Sequence, residues 1–150
     1  MIWKPHATVA AVVERNGRYL LVEEFKGGRK VLNQPAGHLE NGESLVSAVI
    51  REAREESAWE IEPYAVVGLY RWIHPASGET FLRLCFAAQA LRHHADQPLD
   101  AGIDGTYWLS RKEILDRRER LRSPLVLRAV EDYEDGTRYP LDMLREVGDC

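Results

Sequence analysis

Two cysteines in 150 residues are too few for a disulfide framework, and Cys85 and Cys150 lack the spacing of a metal site. Cys85 lies in the apolar run LRLCFAA and reads as a small core residue, whereas Cys150 is terminal and the more readily oxidised of the two. No apolar run is long enough to cross a bilayer, and MIWKPHATVAAVV lacks the layout of a cleavable export signal. A basic surplus is also missing: 20 Lys and Arg face 24 Asp and Glu, a net charge of −4. That balance argues against a nucleic-acid polymer or an anionic membrane as partner. It permits a small anionic substrate if a cation bridges the two. Nor is there an internal repeat, a linker or a low-complexity tract. The expectation is one domain, residues 1–150, in a reducing cytoplasm. No apolar stretch can be assigned to an interface rather than to the core, so a monomer and a small homo-oligomer both remain open.

The elements follow from periodicity and turn chemistry. Thr8–Val13 and Tyr19–Glu23 are apolar runs flanking Asn16-Gly17, a hairpin signal. Lys26–Lys30, with two glycines, predicts a second turn, Val31–Gln34 a short strand, and Pro35 its end. Ala36-Gly37 then opens a loop. Ser44 is placed to cap a helix over Leu45–Ser57. Ile61–Ile73, interrupted near its start by Pro63, and Thr80–Ala90 read as a second hairpin around His74-Pro75-Ala76-Ser77-Gly78. Arg92–Gly105 is polar and reads as the longest loop, followed by a strand over Thr106–Leu109. Helices are expected over Lys112–Arg118, capped by Ser110, and over Leu125–Glu134, opened by Ser123-Pro124. The segment from Gly136 onward shows no period. Strands on both sides of one long helix, then two short helices, imply an α+β fold with a mixed sheet between helices.

The chemistry concentrates between Gly37 and Trp59, GHLENGESLVSAVIREAREESAW. On a helix, Glu52, Glu55 and Glu56 fall at i, i+3 and i+4 and share one face. Val46, Val49, Ile50 and Ala53 form an apolar stripe centred roughly 120° away. The helix is thus pinned to a core by one side while it presents three acids along a neighbouring edge. Crowded carboxylates are costly unless a positive charge sits among them. A hard divalent cation, Mg²⁺ or Mn²⁺, suits oxygen ligands of this kind. The blander alternative is a solvated acidic face, partly satisfied by Arg51 and Arg54 through ordinary helix pairing.

The spacing Gly37, five residues, Glu43, seven residues, Arg51-Glu52, two residues, Glu55-Glu56 resembles the Nudix box, the signature of hydrolases acting on nucleoside diphosphates linked to another moiety. Six fixed positions make a chance match in this length about one in 10⁵. One position departs. Ala58 stands where the family usually has glycine, which ends the helix in a left-handed conformation that alanine tolerates poorly. The resemblance implies an α/β/α sandwich with a mixed β-sheet. It also implies that Glu52, Glu55, Glu56 and the Gly37 carbonyl hold divalent cations, and that one carboxylate, in the box or outside it, is the general base. Glu43 and Arg51 are expected to fasten loop to helix by an ion pair. Asp104 or Asp100 is a candidate for an additional carboxylate, although both also suit a turn.

Further segments narrow the resemblance. NQPAGHLE (33–40), WIHP (72–75), LRSPL (121–125) and Tyr133, Gly136 and RYPL (138–141) are similar to the bacterial NudJ type of small Nudix phosphatases. This implies release of phosphate from nucleoside tri- and diphosphates and from thiamine-pathway pyrimidine pyrophosphates, namely hydroxymethylpyrimidine pyrophosphate and thiamine pyrophosphate. A nucleotide pyrophosphatase leaving monophosphate, and a non-catalytic Nudix sensor of a phosphorylated ligand, are the alternatives. Arg71, His74, Arg83, Arg122 and Arg138 are candidate substrate contacts, of which two are expected to touch it, since arginine's fork suits phosphate oxygens. Tyr70 and Trp72 are candidates to stack on a pyrimidine, although alternating strand aromatics serve cores first. His38, His93 and His94 are read as non-catalytic.

Overall fold

A computed structural model describes residues 1–148; Cys150 lies outside the described residues. In chain order the strands are β1 (His6–Arg15), β2 (Arg18–Lys26), β3 (Arg29–Asn33) and β4 (Ala36–His38), then helix α1 (Leu45–Ser57), β5 (Trp59–Ile73), β6 (Thr80–His93), β7 (Ile103–Ser110), and helices α2 (Arg111–Asp116) and α3 (Pro124–Glu134). Short 3₁₀ turns occupy Arg118–Arg120 and Leu141–Met143.

The first hairpin turns at Asn16-Gly17, both at positive φ, as a two-residue connection between twisted strands requires. β1 then parts from β2. Only Glu14↔Tyr19 and Arg15↔Arg18 pair across the hairpin, after which β1 runs parallel to β6 and antiparallel to β4, while β2 pairs with β3 and β7. The seven-stranded sheet therefore follows the order β3-β2-β1-β6-β5 and is splayed at one end. That splay opens the cleft described below.

β1 is buried on both faces, which explains its unbroken apolar run rather than an alternating one. Ala10 and Val12 pack toward α3, through Val126, Ala129 and Val130. Val9, Ala11 and Val13 pack toward α1, through Ala48, Val49 and Ala53. The mixed sheet thus lies between helices, the α/β/α sandwich expected. Cys85 is a core residue on β6, its thiol pushed up to about 11 by burial.

Several boundaries differ from expectation. Ala36–His38 is a strand rather than loop, because backbone pairing to Thr8, Val9 and Ala10 satisfies its polar groups. Pro63 does not break β5. It sits on the edge strand beside a register shift, where a missing N–H costs no ladder bond. The α1 stripe is centred on Ala48, Val49 and Ala53, with Val46 and Ile50 only half-buried at its margin. α2 ends at Asp116, two residues early, in a 3₁₀ turn.

Ser44 caps α1, accepting from the Ser47 N–H at 3.1 Å. At the other end Ala58 itself takes the left-handed conformation (φ 61°, ψ 19°), its N–H donating to the Arg54 carbonyl. The strain of about 1–2 kcal/mol is offset by burial of its methyl, about 0.8 kcal/mol, and by the smaller unfolded-state freedom of alanine, about 0.5–1 kcal/mol. Ala58→Gly is therefore expected to shift stability by less than about 1 kcal/mol, while Ala58→Val should lose more than about 2 kcal/mol. Urea unfolding of the two variants checks both.

Candidate active site

Where the sheet splays, a cleft of about 370 Å³ is lined from every layer of the fold. β4 brings Ala36, Gly37 and His38, α1 brings Glu52 and Glu56, and β2 and β3 bring Glu24, Lys26 and Asn33. β5 and β6 with their turn bring Trp72, His74, Phe81 and Arg83. The segment entering α3 brings Arg122, Ser123 and Leu125.

The acidic wall is built on Gly37. A Cβ at that position would fall 2.1 Å from the Glu52 carboxyl carbon, so only glycine lets Glu52 lie against the β4 backbone. Gly37→Ala is expected to displace that carboxylate, which sits at the flexible end of its side chain. Activity should drop at least about 10-fold, with thermal stability changed by no more than a few degrees. Comparing kcat and Tm of this variant with wild type tests the assignment.

Glu56 accepts the Ala36 N–H at 2.9 Å. Burial is the main cause that pushes its carboxyl up to about 8, and the negative charges of Glu52, Glu24 and Asp100 add to it. Glu52 is raised in the same direction, again by burial first, against the pull of Arg51. Glu43 is held below the usual range by its hydrogen bonds to Arg51.

Arg51 organises the loop. It donates to both Glu43 oxygens at 2.8 and 3.0 Å, to Glu52 at 2.9 Å, to Glu55 at 3.1 Å and to the His38 carbonyl at 3.1 Å. The expected Glu43–Arg51 fastening is present. Glu55, however, turns to Arg51 rather than into the cleft. Among the described residues no three acidic, histidine or cysteine side chains form a ready-made metal cage. The guanidinium is the positive charge among these acids here.

Of the candidate substrate contacts, His74, Arg83 and Arg122 line the cleft. Arg122 is held by Glu24 and by backbone pairing of its segment to Leu32. His74 Nδ1 accepts from the Ala76 and Ser77 N–H groups, which leaves Nε2 as the protonated nitrogen. Arg71, Arg138 and Asp104 lie elsewhere. Arg71 alternates to the exposed face of β5. Arg138 stacks on Tyr133 and donates to the Tyr133 and Thr137 carbonyls. Asp104 faces Lys30 at 3.7 Å. Asp100 is the nearer acid: its N–H donates to the Glu55 carbonyl and its charge acts on Glu52 and Glu56. Trp72 lines the cleft beside Phe81, whereas Tyr70 leaves it to bond Asp132 at 2.7 Å. His38 also faces the cleft. Sequence reasoning passed over Glu24 and gave Asn33 no role beyond its place in the NQPAGHLE segment. The only linear signal for Glu24 was a pair of acids closing an apolar run.

The model of the NUDIX domain matches residues 4–130. The chain belongs to the Nudix family. It is similar to the phosphatase NudJ of Shigella boydii serotype 4 and of Escherichia coli K12, 43% identical to each over 143 residues, covering 95% of this chain and 92% of theirs. A Nudix hydrolase structure from Nitrosomonas europaea superposes with a TM-score of 0.94 at 45% identity, covering 96% of this chain and 98% of that one. The chain is accordingly a Nudix hydrolase, an enzyme of the class that cleaves pyrophosphate bonds. No helix among the described residues is long and apolar enough to cross a membrane.

The Glu56 environment carries a pH dependence. In the folded protein this carboxyl keeps its proton to about pH 8, whereas the ordinary value is 4.5. Folding therefore takes up a proton between those limits. Stability of the metal-free Nudix domain should fall as pH rises through that window, by on the order of a few kcal/mol. Urea unfolding in EDTA at intervals from about pH 5 to pH 9 measures it. A cation that holds the ionised form should flatten the decline.

Proposed function

We propose that this Nudix hydrolase is a divalent-cation-dependent phosphatase. It would release orthophosphate from nucleoside tri- and diphosphates and from thiamine-pathway pyrophosphates, hydroxymethylpyrimidine pyrophosphate and thiamine pyrophosphate. Its working unit is taken to be the single domain 1–150, a monomer or small homo-oligomer in the cytoplasm. The observation that carries the reading is a half-buried acidic wall, Glu52 and Glu56 beside Gly37, set in one cleft with Arg83, Arg122 and the aromatic rings of Trp72 and Phe81. The similarity to NudJ phosphatases over nearly the whole chain supports the substrate class.

The donor set fits Mg²⁺ or Mn²⁺. Glu52 and Glu56 are carboxylates whose ionised forms are penalised by burial, and Gly37, whose carbonyl is a further oxygen donor, packs against Glu52; Glu55 can join once it leaves Arg51. When bound, such a cation neutralises phosphate charge and lowers the pKa of a coordinated water. The protein's own part is to place the groups. Arg51 and Glu43 hold the loop, Glu52 or Glu55 takes the proton of the attacking water, and Arg122, Lys26 and His74 offer donors to phosphate oxygens. Trp72 and Phe81 present an apolar wall to a pyrimidine ring.

The test is phosphate release from nucleoside di- and triphosphates, thiamine pyrophosphate and hydroxymethylpyrimidine pyrophosphate, with Mg²⁺ and with EDTA. Metal-dependent orthophosphate release, greatest on the pyrimidine pyrophosphates, is expected. Pyrophosphate as the product from triphosphates would identify the pyrophosphatase instead. No release by folded protein that still binds Mg²⁺ would identify a sensor.

A further inference from the structure

Arg83 is the least exposed residue of the cleft wall, 6% accessible, on β6 between Thr8 of β1 and Tyr70 of β5. Among the described residues its guanidinium makes no ion pair, although the Glu56 charge favours its ionised form. The two buried glutamates of β2 are occupied, Glu23 by Arg120 and Glu24 by Arg122. What holds Arg83 is a pair of neutral amides: Nη2 donates to Asn33 Oδ1 at 3.2 Å and to Gln34 Oε1 at 2.9 Å. Gln34 is itself oriented by its donation to the Val126 carbonyl at 2.8 Å. Arg83 Nε is the single buried side-chain polar atom without a partner among the described residues. Among the described residues Nη1 also makes no hydrogen bond, yet it is not fully buried as Nε is.

A buried, unpaired guanidinium is among the most costly groups a fold can keep. The amides fix its orientation without an ion pair, which leaves its charge available to a ligand. Two features say which part of a diphosphate it takes. The deepest point of a cleft admits the end of a molecule, because a mid-chain phosphate must leave in two directions. A terminal phosphate with one bridging oxygen carries more charge than one bridged on both sides, and so gains most from a cation held without an ion pair.

We propose that Arg83, oriented by Asn33 and Gln34, binds the terminal phosphate of the substrate and makes the enzyme select diphosphates ending in a free phosphate over those capped by a second group. Trp72 and Phe81, more exposed than Arg83 in the same cleft, are then left for the ring at the other end. The inference rests on the diphosphate substrate proposed above.

The experiment compares a nucleoside diphosphate with a nucleoside diphosphate sugar on wild type, Arg83→Met and Asn33→Asp. Asn33→Asp sets a carboxylate against the guanidinium and neutralises it in place without removing it. In wild type the free diphosphate should be preferred at least about 100-fold in kcat/KM. Both variants should lower kcat/KM for it by about 100-fold, with KM rising, and bring the preference close to unity. Inorganic phosphate in EDTA should raise the Tm of wild type and not of either variant, a readout independent of turnover. Equal losses on both substrates, a wild-type preference for the capped one, or phosphate stabilising the variants as it does wild type would overturn the role of Arg83. Should Arg83→Met fail to fold, Asn33→Asp and the wild-type preference still decide. Failure of wild type to hydrolyse either compound would instead count against the proposed function.

Discussion

Glu56→Gln should lose at least about 100-fold in metal-dependent hydrolysis while the metal-free protein becomes more stable at pH 8. The two effects have one source. Glu56 lies where burial resists ionisation, raised to about 8, yet the proposed chemistry needs its ionised form as a cation ligand. An amide keeps the shape and the acceptance from Ala36 N–H, now 2.9 Å, and is neutral at every pH. The variant therefore no longer has to ionise a buried group as pH rises, and most of the decline in stability between about pH 4.5 and pH 8 should vanish. Stability rises where activity is lost, the expected exchange at a site held under electrostatic strain. Parallel pH series of urea unfolding and of phosphate release would show it. A Glu56→Gln protein that hydrolysed substrate at the wild-type rate would remove Glu56 from the cation site.

Arg51→Met should destabilise the protein by about 2–4 kcal/mol and abolish most activity. The guanidinium satisfies three carboxylates and one carbonyl at once, and its side chain is 22% exposed. Truncating it strands Glu43, 16% exposed, and Glu52, 12% exposed, with like charges around them and no counter-charge. For a domain this size the loss amounts to a fall in Tm of about 5–15 °C, measurable by calorimetry. Arg51→Lys should recover only part of it, because an ammonium cannot hold both Glu43 oxygens in the two-pronged contact and still reach Glu52 and Glu55. Saturating Mg²⁺ should restore more stability to Arg51→Met than to wild type, since a cation supplies the charge that the variant lacks. A variant as stable as wild type in EDTA would mean the acids do not need Arg51.

The local elements were legible in the chain because their signals are local. Asn16-Gly17 supplies the two positive-φ residues of a tight hairpin, Ser44 and Ser123-Pro124 open helices where capping chemistry requires, and the box helix runs over Leu45–Ser57 as its period predicts. Ala58 was legible as a departure but not as its resolution. A left-handed alanine persists because its methyl is buried, and burial is not written in the neighbouring residues. Ala36–His38 was misread as loop because a three-residue strand has too few positions to show a period; its partner, β1, lies far upstream in the register Thr8↔His38 and Ala10↔Ala36.

The site divides the same way. The spacing of Gly37, Glu43, Arg51, Glu52, Glu55 and Glu56 was sufficient to identify the acidic helix edge, since one helix and its loop bring these residues together. Which arginines meet that edge was decided only in three dimensions. Arg71, Arg83, Arg122 and Arg138 look alike in sequence, yet strand alternation turns Arg71 outward, Tyr133 holds Arg138, and the splay between β1 and β2 brings Arg83 and Arg122 into one cleft with Glu52 and Glu56. Side-chain chemistry is local and can be read along the chain. The charge a buried group must carry, and what it faces, depend on contacts between residues dozens of positions apart, and only the folded arrangement of strands sets those.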